Sequence, residues 1–177
     1  DVINTILDAT RIESGRMELA ADWFSAQGFL QHTLDLARAE SGRPEVEIQL
    51  GKTIDAEVLA DRRLLRQALL NLVGNAVKFS PPGAVVSVSA TVSPAGAFEI
   101  AVSDEGPGIP AEAIERVTLP FFQADDSLSR THEGSGLGLY LAKSFLELHG
   151  GRLEIMSPRD GGTVAALKLP PSRVRRD

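Results

Sequence analysis

Across residues 61–79 the chain reads DRRLLRQALLNLVGNAVKF, and Leu65, Leu69, Leu72 and Ala76 recur at helical spacing. That stripe predicts a core helix. Beside it stand Gln67, Asn71, Asn75 and Lys78. At about 100° per residue, Asn71, Asn75 and Lys78 project within roughly 60° of one another. Two amides and an ammonium bordering a core stripe need partners, since buried polar groups without them are costly. They border either solvent or a ligand, and this helix by itself leaves both readings open.

The same patterning divides the rest of the chain. Ile3, Ile6, Leu7 and Thr10 make a narrow helical stripe that Gly15 ends. So short a helix with so few core positions is marginal alone, which suggests one piece of a helical bundle, with a plain N-terminal helix packed on its own domain as the alternative. Residues 17–24 read as a strand. Ser25 is placed to cap a helix running to about Glu40, with Phe29, Leu30, Thr33, Leu34 and Ala37 inward. Strands follow at 46–50 and 57–60. Asp61 caps the central helix, and Ser80-Pro81-Pro82-Gly83 stops it. Alternation then predicts strands at 85–92, 98–103, 152–156 and 163–169, a short helix at 111–117 and a longer one at 136–149. Residues 118–135 show no period, as functional lids commonly do not. Hairpins mixed with helices imply an α+β fold, a two-layer sandwich of a mixed, mostly antiparallel sheet with helices on one face. Residues 1–16 read as a helix end and linker, 17–170 as the main domain and 171–177 as a flexible tail.

Composition narrows the class. The 177 residues are 43% hydrophobic and 24% charged, ordinary for a globular domain. Cysteine is absent, which excludes disulfides and thiolate metal sites. A net charge of −6 argues against a general nucleic-acid partner. No run of about 18 apolar residues suggests membrane contact. Any anionic ligand must therefore be held by local cations and backbone N–H groups.

Three glycine-bearing loops offer such groups: Asp104-Glu-Gly106-Pro-Gly108, then Gly134-Ser-Gly136-Leu-Gly138-Leu before a helix, then Gly161-Gly162-Thr163. Glycine lets backbone approach a ligand closely, and a helix N-terminus supplies unpaired N–H groups. Each loop taken singly is as well explained by a turn or a tight lead-in to a helix. Neither a GxxxxGK[ST] loop nor a dinucleotide-binding βαβ fingerprint is present, and no HExxH, EF-hand or GxSxG pattern occurs.

In combination the motifs are specific. Asn71-Leu-Val-Gly-Asn75-Ala-Val-Lys78-Phe79-Ser80, Asp104-x-Gly-x-Gly-Ile109, Pro120-Phe121-Phe-Gln, Glu133-Gly-Ser-Gly-Leu-Gly-Leu139 and Gly-Gly-Thr163 occur in that order. This set resembles the ATP-binding catalytic domain of bacterial sensor histidine kinases, members of the Bergerat-fold ATPase superfamily. The likeness runs from residue 6 to the last strand, and residues 1–16 resemble the end of the dimerisation and phosphoacceptor hairpin. The resemblance implies ATP and Mg²⁺ as cofactors. Asn75 and Asn71 would offer amide oxygens to the metal, Lys78 and Arg130 would meet phosphate, and Phe79 would pack near adenine. Asp104 would accept a hydrogen bond from the adenine exocyclic amine, where guanine carries a carbonyl. Gly106, Gly108 and Ile109 would turn beneath the base. Phe121 would belong to an ATP lid over 120–135. Gly134, Ser135, Gly136, Leu137, Gly138 and Leu139 would bring helix N–H groups to the phosphates, and Thr163 would close the adenine side.

The resemblance further implies a homodimer in the full-length protein and a cytoplasmic domain. The partners would be the same protein's phosphoacceptor hairpin and a response regulator. Hydrolytic relatives usually carry a water-activating Glu where this chain has Asn71, and an amide cannot take that proton. The acceptor histidine is expected outside this segment. His32 reads as a surface residue, His149 as a helix-end cap, and His132 precedes Glu133 in the lid rather than on a helix. Two positions depart from the family pattern: Thr118-Leu119-Pro120-Phe121 in the lid, and Phe79 in place of the frequent Tyr. Two other readings of the same motifs are a pseudokinase module that binds nucleotide or partners without phosphotransfer, and a free-standing ATPase.

Overall fold

The computed structural model describes residues 2–123 and 134–176. Among them are four α-helices: α1 (Val2–Glu13), α2 (Ala26–Glu40), α3 (Arg62–Phe79) and α4 (Gly138–Leu148). Eight strands accompany them: β1 (Asp22–Ser25), β2 (Glu47–Leu50), β3 (Glu57–Ala60), β4 (Val85–Val92), β5 (Phe98–Asp104), β6 (Arg152–Met156), β7 (Thr163–Leu169) and β8 (Val174–Arg175). The main sheet has the order β2-β4-β5-β7-β6, with β2 parallel to β4 and every other pair antiparallel. A second sheet, β1-β3-β8, lies apart from it, a division that strand patterning does not reveal.

Alternation decides which sheet face is covered. Val86, Val88 and Ala90 of β4, Phe98, Ile100 and Val102 of β5, and Leu167 and Leu169 of β7 are buried in one core with α2, α3 and α4. The intervening Glu99 and Lys168 pair on the other face. Helix α3 contributes Leu64, Leu65, Ala68, Leu69, Leu72, Val73, Ala76 and Val77, all at most 4% exposed. Burying a single such leucine stabilises by about 1.5–3 kcal/mol, so this stripe fixes the helix to the sheet. Asp61 caps α3, its Oδ1 accepting from Arg63 N–H at 3.0 Å and Leu64 N–H at 3.2 Å. Ser25 caps α2 as expected, with Oγ accepting from Gly28 N–H.

Three expectations need correction. Residues 111–117 form successive turns rather than a helix: Ala113 N–H reaches Pro110 C=O and Arg116 N–H reaches Ala113 C=O. Ala113 is the side chain that this stretch buries, too little to stabilise a short helix nucleus. The first strand is shorter than 17–24, because only 22–25 pair with β3. The tail is held: Pro171–Arg173 make a 3₁₀ turn and β8 pairs with β3. His149 caps the end of α4 as read, and it is buried at 1% exposure.

In α1 the predicted stripe faces outward. Val2, Ile3, Ile6 and Leu7 are 48–67% exposed, while Asp8 is buried and accepts a hydrogen bond from Gln67 Nε2 on α3 at 3.3 Å.

Candidate functional site

Four segments converge at one end of the main sheet: the C-terminal half of α3, the loop after β5, the turn before β7 and the start of α4. Backbone spacing shows how closely. A Cβ added to Gly106 would stand 2.9 Å from Phe79 O and 3.0 Å from Asp104 Oδ1. One added to Gly162 would stand 2.6 Å from Asp104 O, and one on Gly134 2.9 Å from Lys78 Nζ. Gly108 and Gly162 take φ of +80° and +78°, a region that side-chain-bearing residues rarely enter.

Asp104 ends β5. Its Oδ1 accepts the Gly106 N–H at 2.9 Å, and the Thr163 N–H also bonds to it. Even so, burial raises its carboxyl above the usual aspartate range, outweighing those two bonds. A desolvated carboxylate of this kind is suited to accept from a further donor. Gly162 N–H donates to Gly106 C=O at 2.8 Å, which joins the two glycine loops.

Asn71 and Asn75 are half-buried on α3, between the core stripe and the surface. The Asn71 amide nitrogen donates to Gly138 C=O at 3.1 Å, tying α3 to the first residue of α4 and leaving the amide oxygen beside Gly138. Lys78 is half-buried, its ammonium 5.2 Å from the Phe79 ring centroid, and burial lowers its pKa. Phe79 is 46% exposed.

Helix α4 begins at Gly138 after Leu137, and among the described residues no side chain caps it, so its first-turn N–H groups have no capping partner there. Ser135 Oγ accepts from Leu137 N–H at 3.3 Å, and Gly136, at φ +69°, accepts from Phe121 N–H at 3.0 Å. The Leu137 side chain is 1% exposed, and Leu139 packs against the core, so what these two present outward is backbone. Phe121 adopts φ +62° and is 71% exposed, while Ile109 and Thr163 are half-buried. Arg130, His132 and Glu133 lie outside the described residues, as does most of the stretch read as a lid.

The structure therefore brings together Asn71 with Gly138, Lys78 with Gly134, Phe79 with Gly106, and Asp104 with Thr163. Among the described residues no group of three or more His, Cys, Asp or Glu side chains could hold a metal by itself. Any cation would rely on amide oxygens and a ligand's own oxygens, a donor set that suits Mg²⁺.

Two residues at the site escaped sequence reasoning. Arg43 reaches the C-terminus of α3, where Nη1 donates to the carbonyls of Val77 at 2.7 Å, Lys78 at 3.2 Å and Ser80 at 2.8 Å. Ser157 bridges the glycine loops: its Oγ accepts from Ile109 N–H and donates to Gly162 C=O. Neither lies in a motif, and the signal for each is three-dimensional.

Comparison with known proteins identifies the family. Residues 60–173 match the family model described as histidine kinase-, DNA gyrase B-, and HSP90-like ATPase. Histidine protein kinase DivJ of Caulobacter vibrioides is 41% identical over 171 residues, covering 96% of this chain and 28% of that protein. Full-length ShkA, solved in complex with AMPPNP, superposes with a TM-score of 0.83 at 27% identity, over 95% of this chain and 35% of its own. The mycobacterial sensor histidine kinase MprB superposes with a TM-score of 0.72 at 30% identity, over 85% of this chain and 97% of its own. The chain thus spans about a fifth to a third of the curated relatives that match it first. By the matched motif region, the identity to named kinases and the shared fold, the chain belongs to the histidine kinase-, DNA gyrase B- and HSP90-like ATPase family, as a histidine kinase ATPase domain.

Proposed function

We propose that the chain binds Mg-ATP and presents the γ-phosphate to a histidine on a helical hairpin of the same protein, for relay to an aspartate of a response regulator. The protein would act as a cytoplasmic homodimer or carry this part on the cytoplasmic side. The observation that supports this reading best is Asp104. It is a desolvated carboxylate at a strand end, held by two N–H groups and closed in by glycine backbone. A carboxylate so placed accepts from the 6-amino group of adenine, where guanine carries a carbonyl oxygen that cannot donate.

The other roles follow from position. Asn71 reaches the start of α4 and Asn75 stands one turn further along α3; their amide oxygens would hold Mg²⁺. The metal when bound neutralises charge on the phosphate oxygens. Lys78 supplies a partly desolvated cation beside Gly134, suited to phosphate. The uncapped start of α4 adds N–H groups for the same anion. Phe79 offers an exposed ring at the base side, and Thr163 closes that side through its backbone. Arg130 and the remaining lid residues would complete the phosphate end. Catalysis by this set is positioning and charge neutralisation. With an amide at Asn71, no group there can activate water, which favours transfer over hydrolysis.

The test is phosphate transfer. The isolated chain is expected to bind ATP by calorimetry and to label itself poorly with γ-labelled ATP. A version carrying the upstream hairpin should label on that hairpin's histidine. Strong self-labelling of the isolated chain at His132 would overturn the reading. Normal ATP affinity without transfer in the longer protein would favour the pseudokinase alternative.

A further inference from the structure

The two loops on the base side of the site share a weakness. Both were built close by being glycine: Gly108 and Gly162 sit at left-handed φ, and no side chain of their own ties them to the fold. Flexibility of this kind costs conformational entropy whenever the loops must be ordered. One side chain between them supplies what glycine lacks. Ser157 follows β6, half-buried, and its hydroxyl is used in both directions. Oγ accepts the Ile109 N–H at 2.7 Å and donates its own hydrogen to Gly162 C=O at 2.8 Å. The fit is tight, since a Cβ on Gly108 would stand 2.6 Å from that oxygen.

The contacts continue to Asp104. Gly162 N–H donates to Gly106 C=O, and Gly106 N–H donates to Asp104 Oδ1. The Asp104 carboxylate is held by Gly106 and Thr163 N–H groups, and the Gly106 side of that hold is tied through Gly162 to Ser157, beside the separate anchor of Glu105 on Val85 N–H. Each link is a hydrogen bond between groups that have few alternatives in this half-buried place. We infer that Ser157 is a positioning residue for base selection: its hydroxyl clasps the Asp104–Ile109 loop to the 161–163 turn and so holds Asp104 where it distinguishes an adenine from a guanine nucleotide. This inference rests on the ATP-binding reading above, and it adds a residue that would touch neither nucleotide nor metal.

The experiment uses the whole chain and two variants, Ser157→Ala and Ser157→Thr. Calorimetry with ATP and with GTP, both with Mg²⁺, reads affinity. Amide hydrogen exchange at Ile109 reads the clasp without any nucleotide. In the wild type, Ile109 N–H should exchange slowly and ATP should bind in preference to GTP. Ser157→Ala should expose the Ile109 amide, weaken ATP about fivefold to tenfold and change GTP by less than twofold, so that selectivity narrows. Ser157→Thr, which keeps the hydroxyl, should restore both readouts. A merely structural serine would lower ATP and GTP affinity by the same factor, and that result overturns the inference. So does an unprotected Ile109 amide in the wild type, unchanged ATP affinity in Ser157→Ala, or failure of threonine to rescue. Wild-type chain that binds no ATP, while Ile109 is protected through Ser157, would instead sink the functional reading and take base selection with it. Should Ser157→Ala fail to fold, the wild-type exchange rate and the Ser157→Thr affinities still decide.

Discussion

Asp104 shows what the site demands of one residue. Burial raises its carboxyl, so in the folded protein the ionised form is disfavoured relative to an unfolded aspartate. A raised carboxyl contributes its stability below the unfolded value of 3.8 and loses it as pH rises through the folded value. At neutral pH the charge is therefore held against the preference of its surroundings, a cost that makes sense when a ligand supplies the missing donor. Asp104→Asn removes that charge while its amide oxygen can still accept from Gly106 and Thr163. We expect a melting temperature that does not fall, with ATP affinity reduced roughly tenfold to a hundredfold by calorimetry. A variant that loses stability and affinity together would mean that the carboxylate serves the fold. Sequence could single out Asp104 as a candidate because Gly106 and Gly108 follow it closely in the chain. Ser157 was not legible, since its partner Ile109 lies 48 residues earlier and no spacing rule links them.

At the scale of elements, α3 explains both what pattern reading captures and what it misses. Its stripe, its Asp61 cap and its Pro81-Pro82 stop are local features, and the structure shows all three. Asp61→Ala removes the acceptor for two first-turn N–H groups and for Ala20 N–H, and should cost about 1–2 kcal/mol in urea unfolding. The other end depends on a distant residue. Arg43 places a positive charge among three carbonyls of the last turn, where a helix end carries partial negative charge. Those carbonyls bracket Lys78 and Phe79. Arg43→Met keeps the aliphatic stem and should cost about 1 kcal/mol by the same measurement. It should also raise KM for ATP more than it lowers kcat in the hairpin-bearing protein. An unchanged KM would restrict Arg43 to stability. The misread segment 111–117 makes the complementary point. Its residues favour helix, but it buries little, and tertiary contact decides short helices.

The whole molecule is closed at the end opposite the glycine loops by His149. Its Nε2 accepts the Asp61 N–H at 2.9 Å, so Nδ1 carries the hydrogen and donates to Phe145 C=O at 2.6 Å. Asp61 in turn accepts from Ala20 N–H, at the linker from α1, and Arg173 donates to the carbonyls of His149 and Leu59. The imidazole thus joins the start of α3, the end of α4, the linker and the C-terminal turn. These contacts span up to 114 residues of sequence, which is why a helix-end histidine and a polar tail looked unremarkable in the chain. Protonation would turn Nε2 into a donor facing another donor. Burial, with the nearby Arg173, lowers the His149 pKa below 6.5, against the opposing pull of Phe145 C=O and Asp61. With a depressed folded value, the unfolded chain binds the extra proton first. Stability is full above about pH 6.5 and falls as pH drops through the folded value. Urea midpoints measured from pH 8 to 5.5 should decline at the acid end for the wild type. This window lies above the carboxylates Glu45 and Glu154, whose pKa values are lowered by their arginine and lysine partners and by the Glu45 backbone bond. His149→Gln should be less stable at pH 8 and nearly flat across the window. If its slope matches the wild type, the proton is taken up elsewhere and the closure by His149 has no acid sensitivity.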